Sequence, residues 1–202
     1  MTERLPPTAV GIAAAAAILR EGGLVAFPTD TVYGVGVAAS RRDRLDALFA
    51  LKHRPLDRRI PMLVADLNSL PPGWMVDDRA RVLADRFWPG ALTLVLPAEE
   101  AGGDSQAFRA PNHPVAQDLI REAGPLLATS ANISDQPDTL DADEVLVAFA
   151  TQNVELDAVL DGGPVPGGVA STVVDLTVEP AAILREGPIE ATTLADVVAL
   201  SD

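Results

Sequence analysis

Cysteine is absent from this sequence of 202 residues, and aromatic side chains make up only 4% of it. A chain without cysteine forms no disulfide and has neither a thiolate metal site nor a cysteine nucleophile. Its apolar residues are mainly Ala, Val and Leu, within a hydrophobic share of 48% that excludes a disordered chain. The length suits one large domain with a buried core, so we expect residues 1–202 to form a single domain.

Lysine and long apolar runs are also scarce. Lys52 is the only lysine, and the formal net charge of −14 predicts an acidic surface that repels nucleic-acid phosphates. The apolar run over residues 11–19 is too short to cross a bilayer, and residues 1–5 lack the pattern of a signal peptide. We therefore expect a cytoplasmic protein with no membrane span, whose direct binding to RNA is weak or absent.

Helical and strand patterns alternate along the chain, and turn residues separate them. Helices are predicted over residues 8–21, 43–51, 77–87, 114–123 and 194–200, and over a sixth segment that Thr139 or Asp141 caps and that ends at Phe149. Strands are predicted over residues 24–27, 61–65, 91–96, 108–110, 126–128, 158–160, 171–176 and 181–185. Several strands follow one another without a helix between them. The predicted fold class is therefore α/β (mixed α+β): a twisted sheet of parallel and antiparallel strands, flanked by helices around a concave site.

Polar residues follow several of these strands, where open sheets commonly bind a ligand. Residues 28–34 offer two threonine hydroxyls and a carboxylate, but threonine and aspartate also stabilise ordinary turns. Ser130, Asn132 and Ser134 suit either an anionic or base-like ligand, or a helix cap in a polar loop over residues 129–132. Residues 161–168 are rich in glycine and are either an anion-binding loop or a stiff surface turn, and no P-loop motif follows them.

Cations cluster in one segment of this acidic chain. Four of the fifteen lysine and arginine residues lie within residues 52–59. Lys52, Arg54 and Arg58 together suit a triphosphate, because such a ligand needs several cations and arginine binds two oxygens at once. The same residues would also complement the dipole of an ordinary helix end.

Two arginines on predicted strands, Arg109 and Arg185, need anionic partners, because an arginine in an apolar strand is rarely left unpaired. The partner is either a carboxylate of the chain, such as Glu186 beside Arg185, or the carboxylate of a ligand. His53 and His113 are the only histidines, and they lack the spacing of metal ligands. Both are predicted to be structural or superficial, and no metal site is predicted.

Seven motifs, in order from about residue 10 to 190, resemble those of the YrdC/TsaC family of L-threonylcarbamoyladenylate synthases. The motifs are Pro28-Thr29-Asp30-Thr31-Val32-Tyr33-Gly34, Lys52-x-Arg54-Pro55, Phe87-Trp88-Pro89-Gly90-Ala91-Leu92-Thr93, Arg109-x-Pro111-x-His113-Pro114, Ser130-Ala131-Asn132-x-Ser134, Gly167-Gly168-x-x-Ser171-Thr172-Val173-Val174-Asp175 and Leu184-Arg185-Glu186-Gly187.

This resemblance implies a reaction that joins L-threonine, bicarbonate and ATP into threonylcarbamoyl-AMP and pyrophosphate. ATP would be a substrate, with Mg²⁺ held chiefly by its phosphates, and a separate transferase complex would use the product to modify tRNA. By resemblance, Lys52 and Arg54 are catalytic; Arg54, Arg58, Ser105, Asn132, Thr139 and Arg185 bind the nucleotide; and Thr31, Arg109, Ser130 and Ser171 bind threonine.

Two other functions stay open. A binding module of the same fold would hold RNA or a nucleotide without making the adenylate. An enzyme of the hydrogenase-maturation type would use carbamoyl phosphate, but such proteins carry further domains. Because the chain ends at Asp202, we expect the short form of the family, and Asp135 stands where the family usually has glycine. Its extra negative charge would weaken the binding of an anion nearby.

Overall fold

A computed structural model describes residues 2–52, 60–100, 102–133, 136–151 and 155–201, without the side chain of Lys52. Within these ranges, ten strands form one sheet: β1 (Glu3–Leu5), β2 (Val25–Pro28), β3 (Tyr33–Ala38), β4 (Met62–Leu63), β5 (Leu92–Pro97), β6 (Ser105–Arg109), β7 (Leu126–Ser130), β8 (Ala158–Leu160), β9 (Thr172–Asp175) and β10 (Ala182–Arg185). The α-helices of the same ranges are α1 (Ala9–Glu21), α2 (Leu45–Lys52), α3 (Asp78–Phe87), α4 (Pro114–Ala123), α5 (Ala142–Ala150) and α6 (Ala191–Ala195).

The sheet is mixed, as the sequence predicts. Its strand order is β1-β8-β2-β3-β7-β4-β6-β5-β9-β10. The pairs β1–β8, β8–β2, β4–β6 and β5–β9 are parallel, and the other five pairs of neighbours are antiparallel. Neighbouring strands are often far apart in the chain, so side chains from distant segments come together.

Local signals place the ends of four helices. Thr8 caps α1 by accepting a hydrogen bond from Gly11 N, and the helix ends at Gly22, whose φ of 94° lies in the left-handed region that favours glycine. Asp77 caps α3 in the same way, and α4 begins at Pro114 as predicted. Of the two candidates for the cap of α5, Asp141 has this role, since its side chain accepts from the backbone N of Glu144.

Three segments differ from the prediction. The predicted turn over residues 28–34 ends early, because Tyr33 and Gly34 already belong to β3. The predicted polar loop over residues 129–132 begins two residues later, because β3 pairs with β7 as far as Ser130. The final helix is α6 rather than residues 194–200, since the chain beyond it returns to the sheet and Leu200 forms a bridge with Ala181.

Smaller differences concern element ends. A 3₁₀ segment, Ala39–Arg44, precedes α2, which therefore begins at Leu45 instead of residue 43. Strand β6 covers Ser105–Arg109, so Arg109 stands at the end of its strand and not at its centre. The sequence analysis does not predict strand β1, because two of its three residues are charged, and both are exposed in the structure.

Two apolar clusters pack the helices against the sheet. In one of them Leu19 of α1 and Leu119 of α4 meet Phe27 of β2, and all three are fully buried. The other contains Ala26 of β2 together with Phe108 of β6. Successive residues of β2 thus point to opposite clusters, as the period of a strand requires. Each large side chain buried in this way contributes about 1.5–3 kcal/mol to folding.

A search of the described residues finds no helix with the length and apolarity that a bilayer crossing needs.

Candidate functional site

Arg109 is the centre of a buried polar cluster. Its side chain is 11% exposed, and its Nη2 donates to Oδ1 of Asp30 at 2.7 Å. Nη1 donates to Oγ1 of Thr31 at 3.3 Å, and Nε donates to Gly90 O at 3.1 Å. Three strands separate β2 from β6 in the sheet, so this contact joins the loop after β2 to a strand that is distant in the sheet. The anionic partner of this arginine in the structure is therefore a carboxylate of the chain.

The loop that carries Asp30 and Thr31 is fixed by its own hydroxyls. Oγ1 of Thr29 donates to Val32 O at 2.6 Å and lies 3.1 Å from Oγ1 of Thr31. The backbone N–H groups of Thr31 and Val32 also donate to Oγ1 of Thr29. Thr29 and Thr31 are both buried. The loop is thus a turn stabilised by threonine, as one of the alternatives predicts, and it also presents Asp30 and Thr31 to Arg109.

Arg185 lies near Arg109 and binds Ser171. Its Nε and Nη2 both donate to Ser171 O, at 3.0 and 2.8 Å, and Nη2 also reaches Oγ of Ser171 at 3.2 Å. The sequence suggested Glu186 as a partner, but these bonds go to Ser171 instead. The pKa of Arg185 is lowered, first because surrounding protein removes water from the guanidinium and then because Arg109 repels its charge. Two arginines thus face one region.

Ser171 also contacts Thr93, a residue that the sequence analysis does not assign to the site. The two hydroxyl oxygens are 2.7 Å apart, and both residues are 4% exposed. Thr93 lies on β5, which pairs in parallel with β9 directly after Ser171. The only sequence signal for this residue is its place in the motif at residues 87–93, where it interrupts an apolar strand.

A second polar group surrounds the end of β7. Oγ of Ser130 donates to Oδ1 of Asn132 at 2.7 Å, and Nδ2 of Asn132 donates to Gln136 O. Oγ1 of Thr139 donates to Ala131 O at 3.0 Å. Asn132 and Thr139 are buried. These contacts order the polar loop that follows β7 and hold three predicted ligand-binding residues together.

Ser105 belongs to this second region by strand register. Met62 of β4 pairs with both Phe108 of β6 and Leu127 of β7. Ser105 stands three residues before Phe108 on β6, and Ser130 stands three residues after Leu127 on β7, so both lie beyond the same end of the β4 pairings. Ser105 is four residues from Arg109 on β6, about 13 Å along the strand.

The cationic segment precedes β4 in the chain. Ile60 and Pro61 are held between β6 and β7, since Nε2 of Gln106 donates to Ile60 O at 2.8 Å and the N of Ala128 donates to Pro61 O at 3.2 Å. Several residues singled out in the sequence lie outside the described part of the chain, as does the side chain of Lys52: His53, Arg54, Arg58, Ser134 and Asp135.

The hydroxyl of Tyr33 binds the glycine-rich segment at residues 161–168. The Tyr33 hydroxyl donates to Gly163 O at 2.8 Å and accepts from Gly162 N at 3.2 Å. Burial raises the pKa of Tyr33 to about 12. The N–H of Gly163 donates to Oδ1 of Asp161, and that of Val165 donates to Leu140 O. The N–H of Asp161 also donates to Leu5 O, so four N–H groups of the segment are engaged inside the chain, which favours the structural alternative for this loop.

His113 stands at the start of α4 and is half-buried. Its Nδ1 is buried, and no described residue gives it a hydrogen bond. Burial lowers the pKa of His113, although the nearby Asp30 carboxylate acts in the opposite direction. The search for metal sites finds no group of three or more His, Cys, Asp or Glu residues among those that the structure describes.

The site therefore has two parts. The first, which we name the arginine cluster, comprises Asp30, Thr31, Thr93, Arg109, Ser171 and Arg185. The second, which we name the β7 cluster, comprises Ser105, Ser130, Asn132 and Thr139. Of the predicted threonine-binding residues, three lie in the arginine cluster and Ser130 lies in the β7 cluster. The sequence analysis offers the carboxylate of Asp30 as a possible ligand group, but it does not name Asp30 among the site residues.

Comparisons with known proteins agree with these motifs. The Sua5/YciO/YrdC family model, described as telomere recombination, matches residues 17–187. A threonylcarbamoyl-AMP synthase of Bacillus subtilis is 39% identical over 199 residues, which cover 94% of this chain and 57% of that relative. A threonylcarbamoyl-AMP synthase of Pyrococcus abyssi is 41% identical over 182 residues, which cover 86% of this chain and 53% of that relative. The chain thus spans little more than half the length of these two relatives.

A solved structure shows the same architecture. Sua5 of P. abyssi, crystallised with L-threonine, superposes with a TM-score of 0.87 at 35% identity, and the match covers 100% of this chain and 62% of that one. The shared fold extends over the whole chain, and the family model covers most of it. The chain therefore belongs to the Sua5/YciO/YrdC family.

Proposed function

We propose that this protein is an L-threonylcarbamoyladenylate synthase that acts as one domain over residues 1–202. It would combine L-threonine, bicarbonate and ATP into threonylcarbamoyl-AMP and pyrophosphate. The observation that carries the proposal is Arg109, a buried cation beside Asp30, Thr31 and the Ser171–Arg185 pair. The relatives that bear the synthase name, and the related structure with bound threonine, support the choice of substrate.

The arginine cluster suits a zwitterionic amino acid. Asp30 and Arg109 are largely buried, and a buried charge that loses its partner is strongly destabilising. Threonine carries one charge of each sign on neighbouring atoms. Its carboxylate can therefore replace Asp30 at Arg109, while its ammonium group faces the carboxylate that has been released. Both buried charges keep a partner throughout this exchange, and Ser171 and Thr31 offer hydroxyls to the ligand.

The chemistry requires positioning more than acid–base catalysis. The ammonium group of threonine first loses a proton to solvent, and its nitrogen then adds to the carbon of bicarbonate with loss of water, which gives a carbamate. A carbamate oxygen then forms a bond to the α-phosphorus of ATP, and the bond from that phosphorus to pyrophosphate breaks. Cations that hold the phosphates and neutralise the developing charge lower this barrier. We assign this role to Lys52 and Arg54, with Arg58 and Arg185 as further ligands of the nucleotide.

The adenosine and phosphates would extend from Arg185 to the β7 cluster, with Ser105, Asn132 and Thr139 as ligands. Ser130 would bind threonine from the same cluster. Mg²⁺ would arrive with ATP and be held chiefly by its phosphates. The adenylate would pass to a tRNA-modifying transferase complex in the cytoplasm, and the acidic chain would itself bind RNA weakly or not at all.

Release of pyrophosphate tests the proposal. The assay contains ATP, Mg²⁺ and bicarbonate, with and without L-threonine, and compares the wild type with Arg109→Ala and Arg121→Ala. Arg121 pairs with Asp118 at the surface, where both side chains are more than half exposed, so it is a matched control. We expect release that depends on threonine and bicarbonate and that only Arg109→Ala abolishes.

Two other results would decide against the proposal. A folded wild type that releases no pyrophosphate above background would support a binding module instead. Release that requires carbamoyl phosphate in place of threonine and bicarbonate would support an enzyme of the hydrogenase-maturation type.

A further inference from the structure

We propose that Thr93 is a positioning residue that directs the Ser171 hydroxyl toward the carboxylate of threonine. This inference rests on the proposed function and adds a residue to it. Thr93 carries no motif-based role, and the structure places its hydroxyl 2.7 Å from that of Ser171.

The pair is buried and its partners are few. Thr93 and Ser171 are each 4% exposed, so water does not readily satisfy their hydroxyls. Besides Thr93, the Ser171 oxygen is contacted by Nη2 of Arg185 at 3.2 Å. A guanidinium only donates hydrogen bonds, so Ser171 accepts this one. In the part of the chain that the structure describes, the Thr93 hydroxyl has Ser171 as its hydrogen-bond partner.

Counting hydrogens assigns the direction of the bond. Two hydroxyls carry two hydrogens, and the single bond between them uses one. If Ser171 donated to Thr93, the hydrogen of Thr93 would be left inside a strand of the sheet with no acceptor, which is costly. If Thr93 donates, Ser171 accepts from both Thr93 and Arg185, and its own hydrogen is free for a ligand. The second arrangement leaves the unused donor at the edge of the strand, beside the two arginines.

A carboxylate fits this donor. An ionised carboxylate only accepts hydrogen bonds, and it matches a hydroxyl whose lone pairs are already used. Ser171 adjoins Arg185, and Arg109 is close enough to Arg185 for their positive charges to repel each other. Thr93 therefore acts through Ser171: it fixes the rotamer of that side chain and makes it a donor. Without Thr93, the Ser171 hydroxyl can turn away or accept a bond from another group.

The test uses substitutions that separate the hydroxyl from the shape of the side chain. Thr93→Val keeps the volume and removes the hydroxyl, while Thr93→Ser keeps the hydroxyl. Thr177→Val is the matched control, because Thr177 is exposed and lies beyond the far end of β9. Thermal unfolding first establishes that each variant is folded. Threonine binding is then measured by calorimetry, and KM and kcat are measured by pyrophosphate release.

We expect Thr93→Val to raise both the Kd and the KM for threonine by about five- to tenfold, the effect of losing one neutral hydrogen bond. The kcat should stay within about twofold of the wild type, because a contact made equally in the ground and transition states changes KM alone. Thr93→Ser and Thr177→Val should bind threonine as the wild type does.

Two results would overturn the role of Thr93: an unchanged affinity in folded Thr93→Val, or equal losses in the valine and serine variants. A wild type that neither binds threonine nor releases pyrophosphate would remove the proposed function, and the role of Thr93 with it. A wild type that does both, beside an unaffected Thr93→Val, would remove the role of Thr93 alone.

Discussion

Replacing Asp30 by asparagine tests how the buried charge of Arg109 is balanced. Removing one member of a fully buried pair costs about 3–5 kcal/mol. Here the side chains of Asp30 and Arg109 are 15% and 11% exposed, and Arg109 keeps Gly90 O and Thr31 as acceptors. Asparagine also offers a neutral oxygen at the same place. We therefore expect Asp30→Asn to lower the free energy of unfolding by about 1.5–3 kcal/mol, the range for a hydrogen bond to a charged group.

The same variant should change ligand selectivity. In the proposed exchange, wild-type Asp30 receives the ammonium group of threonine once the ligand carboxylate has moved to Arg109. The compound 3-hydroxybutyrate has the carboxylate and hydroxyl of threonine but no amine. In Asp30→Asn the ammonium loses its partner, whereas an incoming carboxylate meets no competing anion. The preference for threonine over 3-hydroxybutyrate should fall about tenfold, which corresponds to about 1.4 kcal/mol.

Urea denaturation measures the stability, and calorimetry with each ligand measures the selectivity. Asp118→Asn is the control, because the ion pair of Asp118 with Arg121 is exposed and should contribute less than about 1 kcal/mol. An Asp30→Asn variant as stable as the wild type would show that Arg109 does not depend on this carboxylate. An unchanged preference for threonine would refute the exchange of ion partners.

Four further substitutions test the fold. The pKa of Tyr33 is raised to about 12, so the folded state holds this proton more tightly than the unfolded state does. The free energy of unfolding should therefore decrease as pH rises from about 10 to about 12. Denaturation curves of Tyr33→Phe should lack the part of this decrease that Tyr33 causes. Gly36→Ala places Cβ 2.7 Å from Leu127 O and should cost about 1–3 kcal/mol in urea, whereas Gly34→Ala meets nothing within 3.4 Å and should cost less than about 1 kcal/mol. Equal losses of stability in Gly36→Ala and Gly34→Ala would refute the steric argument. Asp141→Ala removes the cap of α5 and should lower stability by about 1 kcal/mol in the same assay.

The helices could be predicted from sequence because their ends are local. Thr8, Asp77 and Asp141 accept hydrogen bonds from the first turns that follow them, and Pro114 begins a helix that matches its predicted bounds. Each of these signals acts over three or four residues. The one helix that was misplaced, α6, begins at a residue whose side chain makes no capping hydrogen bond.

Strand β3 could not be predicted because its cause is not local. Gly34 and Gly36 weaken the strand pattern, since glycine has a low strand propensity. Yet a Cβ at Gly36 would lie 2.7 Å from Leu127 O, so the close approach of β3 to β7 requires glycine at this position. The requirement comes from Leu127, which lies 91 residues further along the chain, beyond the reach of any local pattern.

In the candidate site, too, some features can be predicted from the sequence and others cannot. The sequence predicts that Arg109 needs an anionic partner, because burying a guanidinium alone is unfavourable. It does not predict that the partner is Asp30, which is 79 residues away and three strands removed from β6. The role of Thr93 is harder still to predict from sequence. A threonine in an apolar strand is ordinary, and only the contact with Ser171 distinguishes this one.

The distribution of charge is compatible with the proposal that this acidic chain binds anionic substrates. The formal net charge is −14, yet the arginine cluster brings Arg109 close enough to lower the pKa of Arg185. Asp30 balances Arg109, while in the described residues the hydrogen bonds of Arg185 end on uncharged oxygens of Ser171. Burial and then the positive charge of Arg109 lower the pKa of Arg185, so an anion bound beside Arg185 would relieve the repulsion between the two arginines. The net negative charge of the chain disfavours phosphates elsewhere, whereas the arginine cluster and the cationic residues 52–59 would attract them.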